Sequence, residues 1–225
     1  MTPTRGFTHE STYNESIEWY TPRWIFEALK IAFNLDPCSP GSEIVPWIPA
    51  DKHLTFAENG LTAHWEGNVW LNPPYGSETP DWLEHLSATG QGIALVFART
   101  DTKWFQVYVP KSDAVCFING RINFVPNIKA KLYAEKQFDP NKYYVKNAQG
   151  KRVKKSPGAP SMLVAYGKEN AKALFKCGLG LTLPVGKNVE TFRVVRDFAG
   201  GGRSPHENLP HVSESGQGLF DNVQN

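Results

Sequence analysis

The sequence predicts an α/β protein with a mostly parallel sheet and helices on both faces. Three observations carry this expectation. Short apolar strands alternate with stretches at helical spacing along most of the chain. Ile93-Ala94-Leu95-Val96-Phe97 is apolar without interruption, the pattern of a strand buried on both faces. Two polar motifs, Asp36-Pro37 and Asn72-Pro73-Pro74-Tyr75, stand directly after apolar strands, where open α/β sheets bind ligands.

The elements follow in order. Residues 1–18 are rich in Thr, Ser, Glu and Asn and read as a flexible arm. Thr21 is placed to cap a helix whose first position suits Pro22, and Trp24, Ile25, Ala28, Leu29 and Ala32 continue at helical spacing. Phe33 to Asp36 reads as a strand ending in a carboxylate. Pro37 to Lys52, with four prolines, reads as mostly loop. Val69-Trp70-Leu71 is the next strand. Thr79-Pro80 repeats the cap-plus-proline signal before Trp82, Leu83 and Leu86. Asp101 is placed to cap a helix through Trp104, Phe105 and Tyr108. Val115 to Ile118, Ile122 to Val125 and Met162 to Tyr166 read as strands, and residues 168–176 as a helix. From Ala199 onward Gly, Ser, Asn and Pro dominate, so residues 199–225 are expected to be a disordered tail and residues 19–198 one domain.

Composition narrows the function. The 225 residues carry 24 Lys+Arg and 22 Asp+Glu, a formal net charge of +2. No run approaches the roughly 20 apolar residues of a membrane-spanning helix. The polar first residues lack the apolar centre of a secretory signal, which predicts a cytoplasmic protein. The three cysteines, Cys38, Cys116 and Cys177, lie far apart with no CxxC pair, and the six histidines show no ligand spacing. Neither a disulfide framework nor a bound metal is expected. The small net charge hides a split: residues 127–155 hold +7 and the remainder −5. Tyr133, Phe138, Tyr143 and Tyr144 are interleaved with those lysines and arginines. This segment lies between two predicted strands and reads as an insertion, a long hairpin. Its cations can neutralise phosphates and its aromatic rings can stack on bases.

Asn72-Pro73-Pro74-Tyr75-Gly76 carries the chemistry. Two consecutive prolines continue neither a strand ladder nor a helix interior, so they form a stiff turn. Such a turn can aim the Asn72 side-chain oxygen and the Pro73 carbonyl at one point. Two acceptors at one point suit an –NH2 group, and Tyr75 can stack on the flat ring that bears it. Holding both N–H bonds turns the amine lone pair, otherwise delocalised into the ring, toward an electrophilic methyl. Position and electrostatics then do most of the catalytic work.

The motif resembles that of S-adenosylmethionine-dependent amino methyltransferases. The wider order is more specific: Trp19-Tyr20-Thr21-Pro22, Leu35-Asp36-Pro37-Cys38, Asn59-Gly60-Leu61 with Trp65, Val69 to Tyr75, Ala98 to Thr102 with Trp104-Phe105, then Gly120-Arg121-Ile122 with Phe124. This series resembles the phage-type DNA N6-adenine methyltransferases over residues 19–126 and again near Gly158-Ala159-Pro160-Ser161. The resemblance implies a compact, Rossmann-like methyltransferase fold. It implies catalytic roles for Asn72, Pro73, Pro74 and Tyr75. It implies S-adenosylmethionine as cofactor, held by Tyr20, Thr21, Pro22, Asp36, Pro37, Cys38, Glu58 and Asn59. It implies double-stranded DNA as partner, no membrane, a monomer or weak dimer, and the cytoplasm of a phage or prophage host.

Arg99 and Arg121, at strand ends, and Tyr143, Lys151, Arg152, Lys154 and Lys155, in the insertion, are the candidate DNA contacts. A duplex adenine must be flipped out to reach a pocket, and a basic arm can help hold the opened duplex. The chain departs from common methyltransferases in having one glycine in the turn Pro37 to Ser42. Only 35 residues lie between Asp36 and Asn72, which leaves little room for a second strand carrying the acid that binds the cofactor ribose. Glu43, Asp51 and Glu58 all remain open for that role. Cytosine N4, an RNA base and a protein glutamine remain alternative amines, and a catalytically silent nucleic-acid-binding module is the alternative without catalysis.

Overall fold

The computed structural model describes residues 18–146, 149–154 and 158–186. Its elements are β1 (Trp19–Tyr20), α1 (Arg23–Leu29), β2 (Phe33–Asp36), β3 (Ala50–His53), β4 (Val69–Leu71), α2 (Thr79–Thr89), β5 (Gly92–Phe97), α3 (Lys103–Tyr108), β6 (Ala114–Ile118), β7 (Val125–Pro126), α4 (Ala130–Ala134), β8 (Tyr144–Lys146), β9 (Arg152–Lys154), β10 (Ser161–Tyr166), α5 (Lys168–Lys176) and β11 (Gly180–Pro184). The arm at 1–17, the tail at 199–225 and Lys155 lie outside the described residues.

Seven strands form one sheet in the order β3-β2-β4-β5-β10-β6-β11. Strands β3, β2, β4 and β5 are parallel neighbours. β10 runs antiparallel to both β5 and β6, and β11 antiparallel to β6. The sheet is therefore mixed, which corrects the expectation of a mostly parallel one. All six residues of β10 are buried, and a strand buried on both faces has the same apolar pattern in either direction.

Helices do cover both faces. Ile93 and Leu95 of β5 join a core with Ile25, Phe26 and Leu29 of α1 and with Ala171 and Leu174 of α5. Their neighbours Ala94 and Val96 join the opposite core with Trp82, Leu83 and Leu86 of α2, against which Trp104, Phe105 and Tyr108 of α3 pack. This is the period-two alternation of a strand read from both sides. Trp65 and Trp70 are both core residues.

Three local expectations change. Pro22, not Thr21, is the N-cap of α1, with no side-chain cap, and the Thr21 side chain is fully buried instead. Thr102, not Asp101, caps α3, because its hydroxyl accepts the Phe105 N–H at 3.4 Å. The segment read as loop from 37 to 52 ends in β3, which pairs Phe33 with Ala50 and Asp36 with His53. The short interval after Asp36 thus does hold a second strand. β3 reads Ala-Asp-Lys-His, and its central residues Asp51 and Lys52 are exposed, so no apolar alternation betrays it.

The insertion is partly a hairpin. β8 and β9 pair antiparallel, Tyr144 opposite Lys154 and Lys146 opposite Arg152. Its first part packs back on the body. The Tyr133 hydroxyl accepts the Arg23 N–H at 2.7 Å, and its ring meets Trp47 edge-on at 4.8 Å.

Candidate active site

Asp36 closes β2 and is 2 % exposed. Its Oδ1 accepts the Cys38 N–H at 3.3 Å, and its Oδ2 lies 3.6 Å from His53 Nδ1. Ser39 Oγ sits 2.8 Å from the same His53 nitrogen. Burial raises the Asp36 pKa above the usual carboxylate range, and His53, the Cys38 amide and Ser39 only partly offset it. Burial, with the carboxylates of Asp36, Glu18 and Glu78, pushes the Cys38 thiol up to about 12. This turn therefore disfavours further negative charge and favours a cation.

The loop after β3 returns to the same place. A Cβ on Gly60 would stand 1.9 Å from the Pro37 carbonyl, so only glycine lets the Asn59-Gly60 turn approach the Asp36-Pro37 turn. Asn59 itself has a positive φ of 49° and its carbonyl accepts the Thr62 N–H at 3.0 Å. Glu58 accepts from the Thr55 N–H at 2.7 Å and from the Thr55 hydroxyl, which lowers its pKa. Asp51 is engaged elsewhere, by Asn34 Nδ2 at 3.0 Å.

Between these loops opens a cavity of about 690 Å³, lined by Glu18, Tyr20, Ser39, Pro40, Ile44, Thr55, Phe56, Ala57, Asn127 and Ile128. Of the sequence candidates only Tyr20 lines it. Pro37 and Cys38 directly precede its wall at Ser39, and Glu58 and Asn59 directly follow its wall at Ala57. Sequence reasoning missed the rest. The signal available was Ile44 and Phe56, large apolar residues in loops. Phe56 is fully exposed at the rim. Thr21 adjoins Tyr20, is 0 % exposed, and its hydroxyl has no partner among the described residues.

The second half of the site follows β4. Asn72 Nδ2 donates to the Trp19 carbonyl of β1 at 3.3 Å. That carbonyl can only accept, so Asn72 Oδ1 is the atom left to face the Tyr75 hydroxyl, 3.2 Å away. The Thr79 hydroxyl donates to the Pro74 carbonyl at 3.0 Å and accepts the Gly76 N–H at 3.1 Å, which pins the turn to the start of α2. The Tyr75 ring stacks on Phe97 at 4.0 Å and 13°. Arg99 places its guanidinium 6.0 Å from the Phe97 ring centre. The two-residue strand β1 joins both halves, since Trp19 holds Asn72 and Tyr20 lines the cavity.

The remaining candidates are spread out. Arg121 is exposed in the turn after β6. Tyr143 packs edge-on against Phe138 at 5.5 Å. Its neighbour Tyr144 is 44 % exposed, with the Arg152 guanidinium 4.8 Å over its ring. Lys151 adjoins β9, and Lys154 ends it. Among the described residues no group of three His, Cys, Asp or Glu stands together to hold a metal. No described helix is long and apolar enough to cross a membrane.

Residues 10–154 match the family model of the DNA N-6-adenine-methyltransferases (Dam). The chain belongs to this family. A DNA N-6-adenine-methyltransferase of Haemophilus phage HP1 (strain HP1c1) is 31% identical over 119 residues, which is 48% of this chain and 66% of the phage protein. The chain thus spans just under two thirds of that relative's length. No solved structure matches it. The family match includes both halves of the site, β1 to β7, and runs through the insertion to the end of β9.

Proposed function

We propose that this chain transfers the methyl group of S-adenosylmethionine to the N6 amine of an adenine flipped out of double-stranded DNA. The observation that carries this is the Asn72 amide: its nitrogen is fixed by Trp19, so its oxygen is presented as an acceptor beside the aromatic Tyr75. Family membership supports the adenine amine over other amines. No hydrogen bond among the described residues occupies the Pro73 carbonyl, which is left as the second acceptor.

The cofactor fits the other half. Its cationic centres suit the buried Asp36 carboxylate and the acidic surroundings of Cys38. The Thr21 hydroxyl, without a partner among the described residues, suits its carboxylate. The cavity has the volume for an adenosine, with Ile44 and Phe56 at its wall and Glu18 in its lining available for ribose hydroxyls. When bound, the cofactor supplies an electrophilic methyl on a sulfonium. The protein's part is to hold the amine hydrogens at Asn72 and Pro73 and to stack the base on Tyr75, which needs no strongly basic side chain. We read the sheet as a Rossmann-like methyltransferase sheet, with the site at the carboxyl ends of β2, β3 and β4. Arg99, Arg121, Tyr144 and the β8–β9 cations take the DNA. A phage or prophage host cytoplasm is the setting that the phage relative suggests.

The test is methyl transfer from tritiated cofactor to DNA, RNA and protein, followed by nucleoside analysis. N6-methyldeoxyadenosine from DNA is expected. Label in cytosine, in RNA or in glutamine would replace this reading with one of those amines. Asn72→Ala should lose at least 100-fold in turnover, the scale of removing one preorganised hydrogen-bonding group, while cofactor affinity stays within about twofold. Near-normal turnover would refute the assignment of Asn72.

A further inference from the structure

The Tyr75 hydroxyl holds one of the two lone pairs of the oxygen that the proposed chemistry needs, on the side facing the base-stacking ring. It lies 3.2 Å from Asn72 Oδ1 and 3.3 Å from the Leu95 carbonyl in β5. A hydroxyl has one hydrogen, so it serves one of these acceptors or is shared between them. Its ring is held separately, by the parallel face of Phe97 at 4.0 Å. The hydroxyl can therefore change partner without moving the ring away from Phe97.

We propose that the Tyr75 hydroxyl is a place-holder for the target amine. In the empty site it satisfies Asn72 Oδ1, a half-buried acceptor that would be costly to leave unpaired. When the amine arrives, its N–H takes Asn72 Oδ1 and the hydroxyl retires to the Leu95 carbonyl. Only an N–H donor makes this exchange. A base without the amine leaves the hydroxyl where it is. The hydroxyl thus lowers the affinity for amine bases selectively, whereas the ring serves every base alike. This rests on the amine-methylation reading above. It gives Tyr75 a second role, a positioning role exerted through Asn72.

The experiment separates hydroxyl from ring with Tyr75→Phe, which keeps the contact with Phe97. The methylated position is first mapped by sequencing the product of the wild-type protein. Two duplexes are then made with adenine or unsubstituted purine at that position, each opposite an abasic site so that extrusion costs the same. Dissociation constants are measured by fluorescence anisotropy with S-adenosylhomocysteine present to prevent turnover. Tyr75→Phe should raise the preference for adenine over purine by roughly 2- to 10-fold, the worth of one hydrogen bond. The gain should come from the adenine duplex alone. An unchanged or smaller preference overturns the proposal, as does an equal change for both duplexes, which would mark a stacking effect. Equal affinity of both proteins for S-adenosylhomocysteine verifies that the variant is folded. A wild-type protein that methylates no adenine overturns the reading beneath the proposal, and that failure is seen at the mapping step.

Discussion

Asp36 illustrates how a single residue joins stability to function. Its carboxyl is buried and its pKa raised, chiefly by desolvation. A raised folded-state value means that its contribution to stability is fully present below the unfolded carboxylate range, near 4, and is lost as pH rises through the folded value. Above the unfolded carboxylate range Asp36 therefore weakens the empty protein, and a bound cation relieves it once the carboxyl ionises. Asp36→Asn should raise the melting temperature at pH 7, and this gain should vanish as pH falls below about 4. The same variant should bind S-adenosylmethionine at least tenfold more weakly, as expected for losing a buried charge partner. Thermal melts across pH with calorimetric titration of the cofactor check both halves. A lower melting temperature at pH 7 would mean that the hydrogen bonds from His53 and Cys38 outweigh desolvation. Cys177 shows the opposite direction. A hydrogen bond with Cys116 lowers its thiol pKa, at the C-cap of α5.

At the scale of elements, the hairpin β8–β9 is the part we propose for phosphate. Its paired strands set Lys146 opposite Arg152 and Tyr144 opposite Lys154 in register. Neutralising Lys151, Arg152, Lys154 and Lys155 together should weaken DNA binding. It should also reduce the slope of log affinity against log salt by roughly 3 to 4, near one counterion for each phosphate that is no longer neutralised. A salt titration with an unchanged slope would remove the hairpin from the interface. Sequence legibility also differs by element. β4, β5, β6, β10 and α5 are legible within a residue or two because each is a short run of buried apolar residues or an amphipathic repeat. The strand expected at 122–125 shrinks to β7, since Ile122 and Phe124 are taken into the core ahead of it. β3 is not legible because its central pair is exposed and polar. A parallel edge strand is recognised by its partner's backbone, which no side chain in β3 announces.

For the whole molecule the two halves of the site converge at β1, and the insertion reaches the same place. β7 pairs with β1, and Asn127 and Ile128, the first residues of the insertion, line the cavity. The segment read as a nucleic-acid arm thus also builds a wall of the proposed cofactor site. Binding of S-adenosylmethionine to this wall should stabilise the protein. At 100 times its dissociation constant the ligand adds about 2.7 kcal/mol. For a chain of this size that is a rise in melting temperature of about 5–10 °C. Differential scanning fluorimetry reads it directly. No shift at saturating concentration would place the cofactor elsewhere.

Chain-local patterns alone pick out the candidate residues. A strand-end Asn-Pro-Pro-Tyr and a strand-end Asp-Pro are local patterns, and local stereochemistry fixes what they can do. The sequence also determined that a basic, tyrosine-containing segment is inserted in a mildly acidic body, because charge is additive along the chain. Which residues share a space follows from the folded contacts. The tertiary structure showed that the Thr21 hydroxyl is buried with no partner among the described residues rather than capping α1, and that Tyr133 anchors the insertion to Arg23 and Trp47. It made β10 antiparallel between β5 and β6, and it set the Tyr75 hydroxyl on Asn72. Each of these depends on contacts between residues distant in sequence or on strand direction. Burial and hydrogen-bond partnership are properties of the folded surroundings, so the residue's own neighbours in the chain do not encode them.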